Sequence, residues 1–174
     1  VVMRSIFDFL IIETVGVGQS ETFIKDTTDS VILCIQPGSG DTIQFMKSGI
    51  FEIPDLIVLT KSDLNNLAEL TFADLSGSKL YFQNKNEWDI SIIKTSSSKN
   101  YGFGELYSEL ISRWKWLNSR KRLKEFRIQQ DIKWIEKNIE KDFGKKGLEK
   151  VKNSISYKKD PFITLKKLKK SFYF

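Results

Sequence analysis

Histidine is absent from this sequence, cysteine occurs once and proline three times. Without imidazole as general base or metal ligand, any chemistry must run on carboxylates, lysine, Ser/Thr hydroxyls, backbone dipoles or a bound ion. The single Cys34 forbids a disulfide within the chain, which suits a reducing compartment. It lies inside SVILCI, so its thiol reads as buried and inert. With ten glycines in 174 residues, 40% apolar and 13% aromatic, the composition is neither collagen-like nor disordered. Long hydrophobic runs are missing too. FLII and VILCI fall far short of the roughly eighteen residues that cross a bilayer, so no membrane partner is expected. A charge inside VVMRSIFDF argues against a secretory leader, and the cytoplasm is the default location.

What is present is divided unevenly. Residues 1–112 are net acidic at −7 and residues 113–174 net basic at +13, within an overall +6. The length allows one ordinary domain with an appendage. We read residues 1–118 as an α/β domain and 119–174 as a basic helical arm.

Phe7 to Thr14, SVILCIQ (30–36), DLIVLTK (55–61) and ISIIKTS (90–96) are continuously apolar where they could have alternated, the pattern of strands buried on both faces of a parallel sheet. SETFIKDTTD and GDTIQFMKSGIFEI between them, a polar stretch at 64–88, and GELYSELISRWKWL read as helices. The order implies a parallel α/β sheet with crossover connections. From Ser119 onward, Leu123, Phe126, Ile128, Ile132, Ile135 and Ile139 recur at helical spacing, Phe143 extends the stripe, and GKKG at 144–147 ends or breaks it. PFITLKKLKKSF places proline at a last helix start.

Ligands of open parallel sheets bind beyond the carboxyl ends of the strands. Those ends are ETVG (13–16), PGSGD (37–41), TKSD (60–63) and TSSS (95–98). Polar loops are common, so any one could be plain solvent-facing turn; four on one edge ask for a ligand. In TKSD, after Thr60, the Asp63 carboxylate can accept two bonds from the N1–H and exocyclic amine of guanine, a pair that adenine cannot supply. The Lys61 stem can lie against the purine with its ammonium hydrated. Ser96, Ser97 and Ser98 would offer backbone N–H groups to the guanine carbonyl, with Ser97 closing the pocket. At ETVG, Glu13 would hold Mg²⁺ through a water and the Gly16 amide would approach the terminal phosphate. The G-x-G in GVGQSE is no dinucleotide fingerprint, since Glu21 stands where its third glycine belongs.

ETVGVGQSE followed by PGSGDTIQFMKSGIFEIPDLIVLTKSD closely resembles the P-loop GTPases of the methylmalonyl-CoA mutase-associated group, the MeaB/ArgK family. The likeness runs in register from about Phe7 past Trp134 and includes EW at 87–88 and RxQQxxxW at 127–134. It implies a partial P-loop NTPase fold with a C-terminal helical dimerisation arm. It further implies a GTPase, with GTP/GDP and Mg²⁺ as ligands, that acts as chaperone to an adenosylcobalamin-dependent acyl-CoA mutase, gates cofactor delivery and forms a homodimer. Glu13, Gly16 and Gln19 match its metal and γ-phosphate switch, and Gly40, Asp41, Gln44 and Lys47 a loop that signals to the mutase. Lys61 and Asp63 match its guanine motif, and Ser96 and Ser97 its last base-contacting loop. Pro54 and Phe45 replace the usual alanine and a frequent glycine.

One departure is serious. No GxxxxGK[ST] phosphate cradle occurs anywhere in the chain. The chain therefore reads as roughly the C-terminal half of such a protein, with weak GTP binding alone, negligible turnover and an exposed apolar sheet edge. Two other readings stay open: a noncatalytic interaction and dimerisation module, and a nucleic-acid binder suggested by the basic tail with Trp114, Trp116, Trp134 and Tyr173 among lysines. Older naming in the family suggests a transport-system kinase, which nothing in these residues favours over hydrolysis.

Overall fold

A computed structural model describes residue 3 and residues 6–14, 21–38, 53–79, 87–155 and 160–173. Its centre is a parallel sheet of β1 (Ile32–Ile35), β2 (Leu56–Leu59) and β3 (Ser91–Lys94) in that order, with Ile32 opposite Leu56 and Leu56 opposite Ser91. Helix α1 (Glu21–Lys25) precedes β1, α2 (Asn65–Gly77) joins β2 to β3, and α3 (Phe103–Asn118) follows β3.

All four residues of the central strand are buried, which is why its sequence does not alternate. Ile57 and Leu59 meet Ala68 and Leu75 of α2, together with Ile35 and Ile90. Leu56 and Val58 join Ile93 and pack on Leu106 and Leu110 of α3. Each such side chain contributes about 1.5–3 kcal/mol by leaving water.

At the amino end of β2, Asp55 is nearly enclosed. Its carboxylate accepts from the Val31 N–H at 2.9 Å and pairs with Arg113 Nη2 of α3 at 2.8 Å. Trp88 donates its indole N–H to the Asp55 carbonyl at 2.8 Å, and the guanidinium lies over the rings of both Trp88 and Trp116. Burial pushes the Asp55 carboxyl up, with Arg113 pulling it back, and pushes the guanidinium down.

The arm begins after a 3₁₀ turn, Ser119–Lys121, in which Arg120 and Lys121 are left-handed (φ 50° and 64°). Helix α4 (Arg122–Val151) is broken at Gly144, whose φ of 68° and ψ of 179° suit a residue without Cβ, at the GKKG stretch. Helix α5 (Pro161–Lys170) is capped by the Asp160 carboxylate, which accepts from the Phe162 and Ile163 amides. Ile135, Ile139, Val151, Leu165 and Leu168 form a second core between these helices.

Two expectations are corrected. Phe7 to Thr14 is not a strand of the described sheet: the segment is unpaired, with Phe9 88% and Ile11 92% exposed. A continuously apolar strand needs partners on its edges and cover on both faces, and the described residues give this stretch neither. Cys34 is exposed, because it shares with Ile32 the outer face of the edge strand. Packing on its inner side still pushes the thiol up, away from a reactive thiolate.

Candidate guanine-nucleotide site

The parallel ladder brings three of the four polar strand ends to one edge. It continues past the strands, with the Thr60 N–H donating to the Ile35 carbonyl (2.8 Å), Thr95 to Leu59 (2.9 Å) and Ser62 to Thr95 (3.0 Å). The Thr60 hydroxyl also donates to the Ile35 carbonyl, at 3.1 Å, so this side chain braces β1 against β2.

At this edge Asp63 is the focus. Ser96, fully buried, donates its hydroxyl to Asp63 Oδ1 at 2.5 Å, and Ser98 donates to Oδ2 at 2.9 Å. The Ser96 and then the Ser98 hydrogen bond hold the carboxyl below the usual aspartate range. A carboxylate has about four lone-pair directions, so two donors leave room for the paired N–H groups of a guanine. The side chain is ionised, aimed and still accessible, as charge-assisted recognition requires.

Lys61 is exposed, and its ammonium donates to Gln36 Oε1 at 3.0 Å, across from β2 to the end of β1. That bond lays the stem along the edge and uses one of three N–H groups, so the head keeps access to water. Ser97 is exposed in the turn between the two aspartate-binding serines. Ser96 and Ser98 contact Asp63 through their hydroxyls, so they orient the carboxylate in addition to any backbone contact with the base.

Glu13 is exposed at the end of the extended 6–14 segment and has no described contact with Asp63 or its serines. Gly16, Gln19, Gly40, Asp41, Gln44 and Lys47 lie outside the described residues. Among the described residues no group of three or more Asp, Glu or Cys is arranged to hold a metal ion.

Several residues that build the site carry no motif. Ser62 and Tyr101 join the two loops by a 2.7 Å hydroxyl contact. Gly102, at φ 84°, lies so close to β3 that an added Cβ would stand 2.0 Å from the Lys94 carbonyl oxygen. Behind the site, α4 grips the turn that leads out of ETVGVGQSE. Arg127 donates Nε and Nη2 to the two Asp29 oxygens (3.0 and 2.6 Å). Gln130 donates to the Lys25 and Thr28 carbonyls (3.2 and 2.7 Å), while Lys133 and Lys137 each reach Asp26 at 2.8 Å. The letters EW and RxQQ thus acquire places: Trp88 caps the Asp55 corner and Arg127 and Gln130 face the 25–29 turn.

Comparison with known proteins agrees with the fold. The family model "Methylmalonyl Co-A mutase-associated GTPase MeaB" matches residues 2–152. The GTPase ArgK of Escherichia coli is 33% identical over 139 residues, which cover 78% of this chain and 42% of that protein. The mitochondrial methylmalonic aciduria type A homolog of Caenorhabditis elegans is 36% identical over 132 residues, covering 74% and 33%. A crystal structure of an LAO/AO transport system kinase superposes with a TM-score of 0.63 at 26% identity, over 92% of this chain and 56% of that one. The chain thus spans between a third and about two fifths of those two curated relatives' length, and its parallel sheet and flanking helices are those of the P-loop NTPase fold. The chain belongs to the MeaB family of methylmalonyl-CoA mutase-associated GTPases.

Proposed function

We propose that this chain carries the base-recognition edge and helical arm of a GTPase that attends an adenosylcobalamin-dependent acyl-CoA mutase, gating cofactor delivery and protecting the enzyme. The observation that carries the reading is the Asp63 carboxylate held ionised by Ser96 and Ser98 beyond the carboxyl ends of β2 and β3. The description of the matching family supports the mutase connection, and the separate core of α4 and α5 supports an arm suited to pairing two copies.

Mg²⁺ habitually takes one or two protein carboxylates together with phosphate oxygens and waters. Glu13 is the carboxylate offered for that, through a water, and with no ready-made cage among the described residues the ion would arrive with the nucleotide. The phosphates would otherwise rest on a GxxxxGK[ST] loop, which these 174 residues do not include. Six of the twenty Lys and Arg of the basic half, Arg113, Arg122, Arg127, Lys133, Lys137 and Lys169, pair with carboxylates within the protein. Nucleic acid ranks last among the readings, because a lysine-rich helical face is ordinarily a solvated one.

Titration of the chain with fluorescent guanine and adenine nucleotides in the presence of Mg²⁺ tests the reading. The expected result is guanine preference abolished by Asp63→Ala, with affinity weaker than about 1 μM. Equal binding of adenine nucleotides would sink the assignment of Asp63. Submicromolar guanine affinity would show that the 174 residues hold phosphate without the glycine cradle.

A further inference from the structure

Adjacent side chains of the TKSD turn reach different points of the 95–101 loop. Asp63 reaches out to Ser96 and Ser98, whereas Ser62, 7% exposed, turns inward. A serine has one O–H. Ser62 commits it to the Thr95 carbonyl at 2.8 Å, so the 2.7 Å contact with Tyr101 runs from the phenol O–H to Ser62 Oγ. The Tyr101 main chain also pairs with Ser96 in both directions, N–H to carbonyl, at 3.1 Å each. Tyr101 therefore holds by its backbone the serine that orients Asp63, and by its side chain the residue immediately before Asp63.

Lys61 supplies a second, independent observation. It opens this turn in the left-handed region at φ 50°, a conformation that strains a residue with a Cβ. Such strain persists where the surroundings over-determine it. The attachments that do so are the Ser62 N–H and hydroxyl on Thr95 and the Tyr101 phenol on Ser62. Behind them, Gly102 seats the loop against β3 with no room for a side chain.

We propose that Tyr101 is the positioning residue for Asp63, acting through Ser62 to fix the turn that aims the carboxylate. Its use in base discrimination rests on the guanine-reading role proposed above. Tyr101 is 40% exposed, and Tyr101→Phe removes one hydroxyl while keeping the ring and the main-chain pairing with Ser96.

The experiment uses the full chain and Tyr101→Phe. Carbon-detected NMR follows Asp63 through its titration, with Lys99 the nearby charge that acts on it. In parallel, binding of GDP is compared with that of inosine diphosphate, whose base lacks the exocyclic amine. The expected result is that Asp63 moves up toward the ordinary aspartate range with little change in melting temperature, and that the guanine-over-hypoxanthine ratio falls by about tenfold. Ser96→Ala should shift Asp63 further, because it deletes the direct donor. Ser62→Ala keeps the ring but deletes both the acceptor for Tyr101 and the donation to Thr95, so it tests the two attachments as a unit should Tyr101→Phe fold poorly. A parent-like Asp63 titration in both Tyr101→Phe and Ser62→Ala overturns the proposal. A shifted titration in a chain whose parent shows no guanine preference supports the positioning role and sinks the guanine reading alone.

Discussion

Asp55 and Arg113 show how one residue pair can be worth more broken than made. The pair is 2.8 Å apart with both side chains 5% exposed, and Arg113 Nε and Nη1 have no hydrogen-bond acceptor among the described residues. The two indoles over the guanidinium compensate part of its desolvation. Removing the carboxylate strands a buried cation, so Asp55→Ala should cost about 3–5 kcal/mol, read as a lower urea midpoint at unchanged slope. Adding Arg113→Met should recover much of the loss, since an apolar replacement needs no counterion. At the carboxyl edge of the sheet Asp63 was singled out in the sequence by the TKSD pattern after an apolar strand, and the fold brings Ser96 and Ser98 to its carboxylate. Ser62 and Tyr101 were not legible: a hydroxyl pair 39 positions apart leaves no local pattern.

Among the elements, α4 carries the clearest division of labour. Its apolar stripe was readable from spacing, and Ile135 and Ile139 are indeed buried against α5. The polar stripe beside it was readable only as charge. The fold shows its target, the 25–29 turn that follows ETVGVGQSE and precedes β1. Arg127→Ala with Gln130→Ala should raise amide hydrogen exchange across residues 23–29 while the α4–α5 core stays protected. The same contact predicts a pH dependence. Burial raises the Asp26 carboxyl, but the Lys133 and Lys137 hydrogen bonds outweigh it and the net shift is downward. A depressed native pKa stabilises above the unfolded aspartate value and ceases to do so as pH falls through the native one. Melting curves should therefore show an acid-side loss that Asp26→Asn flattens; an Asp26→Asn profile matching the parent would exclude this contribution.

For the molecule as a whole, the unpaired apolar stretch is the main liability. Ile6, Phe7, Phe9, Leu10, Ile11 and Ile12 are all exposed, and the edge strand β1 also bares Ile32. Such a surface favours association. Sedimentation of the 174-residue chain should show concentration-dependent self-association, reduced by Phe9→Lys with Ile11→Lys and little affected by salt. The sequence alone determined which segments are strands of β1, β2 and β3, where the arm begins to read as helix, and which carboxylate could select a purine. These follow from local periodicity and from motif chemistry carried by neighbouring letters. Tertiary structure alone decided that Phe7 to Thr14 stays out of the described sheet, that Cys34 is exposed, that Tyr101 holds the loops around Asp63, and that α4 holds the 25–29 turn before β1. Those outcomes depend on which surfaces find partners, and partners distant in the chain leave no trace in local spacing.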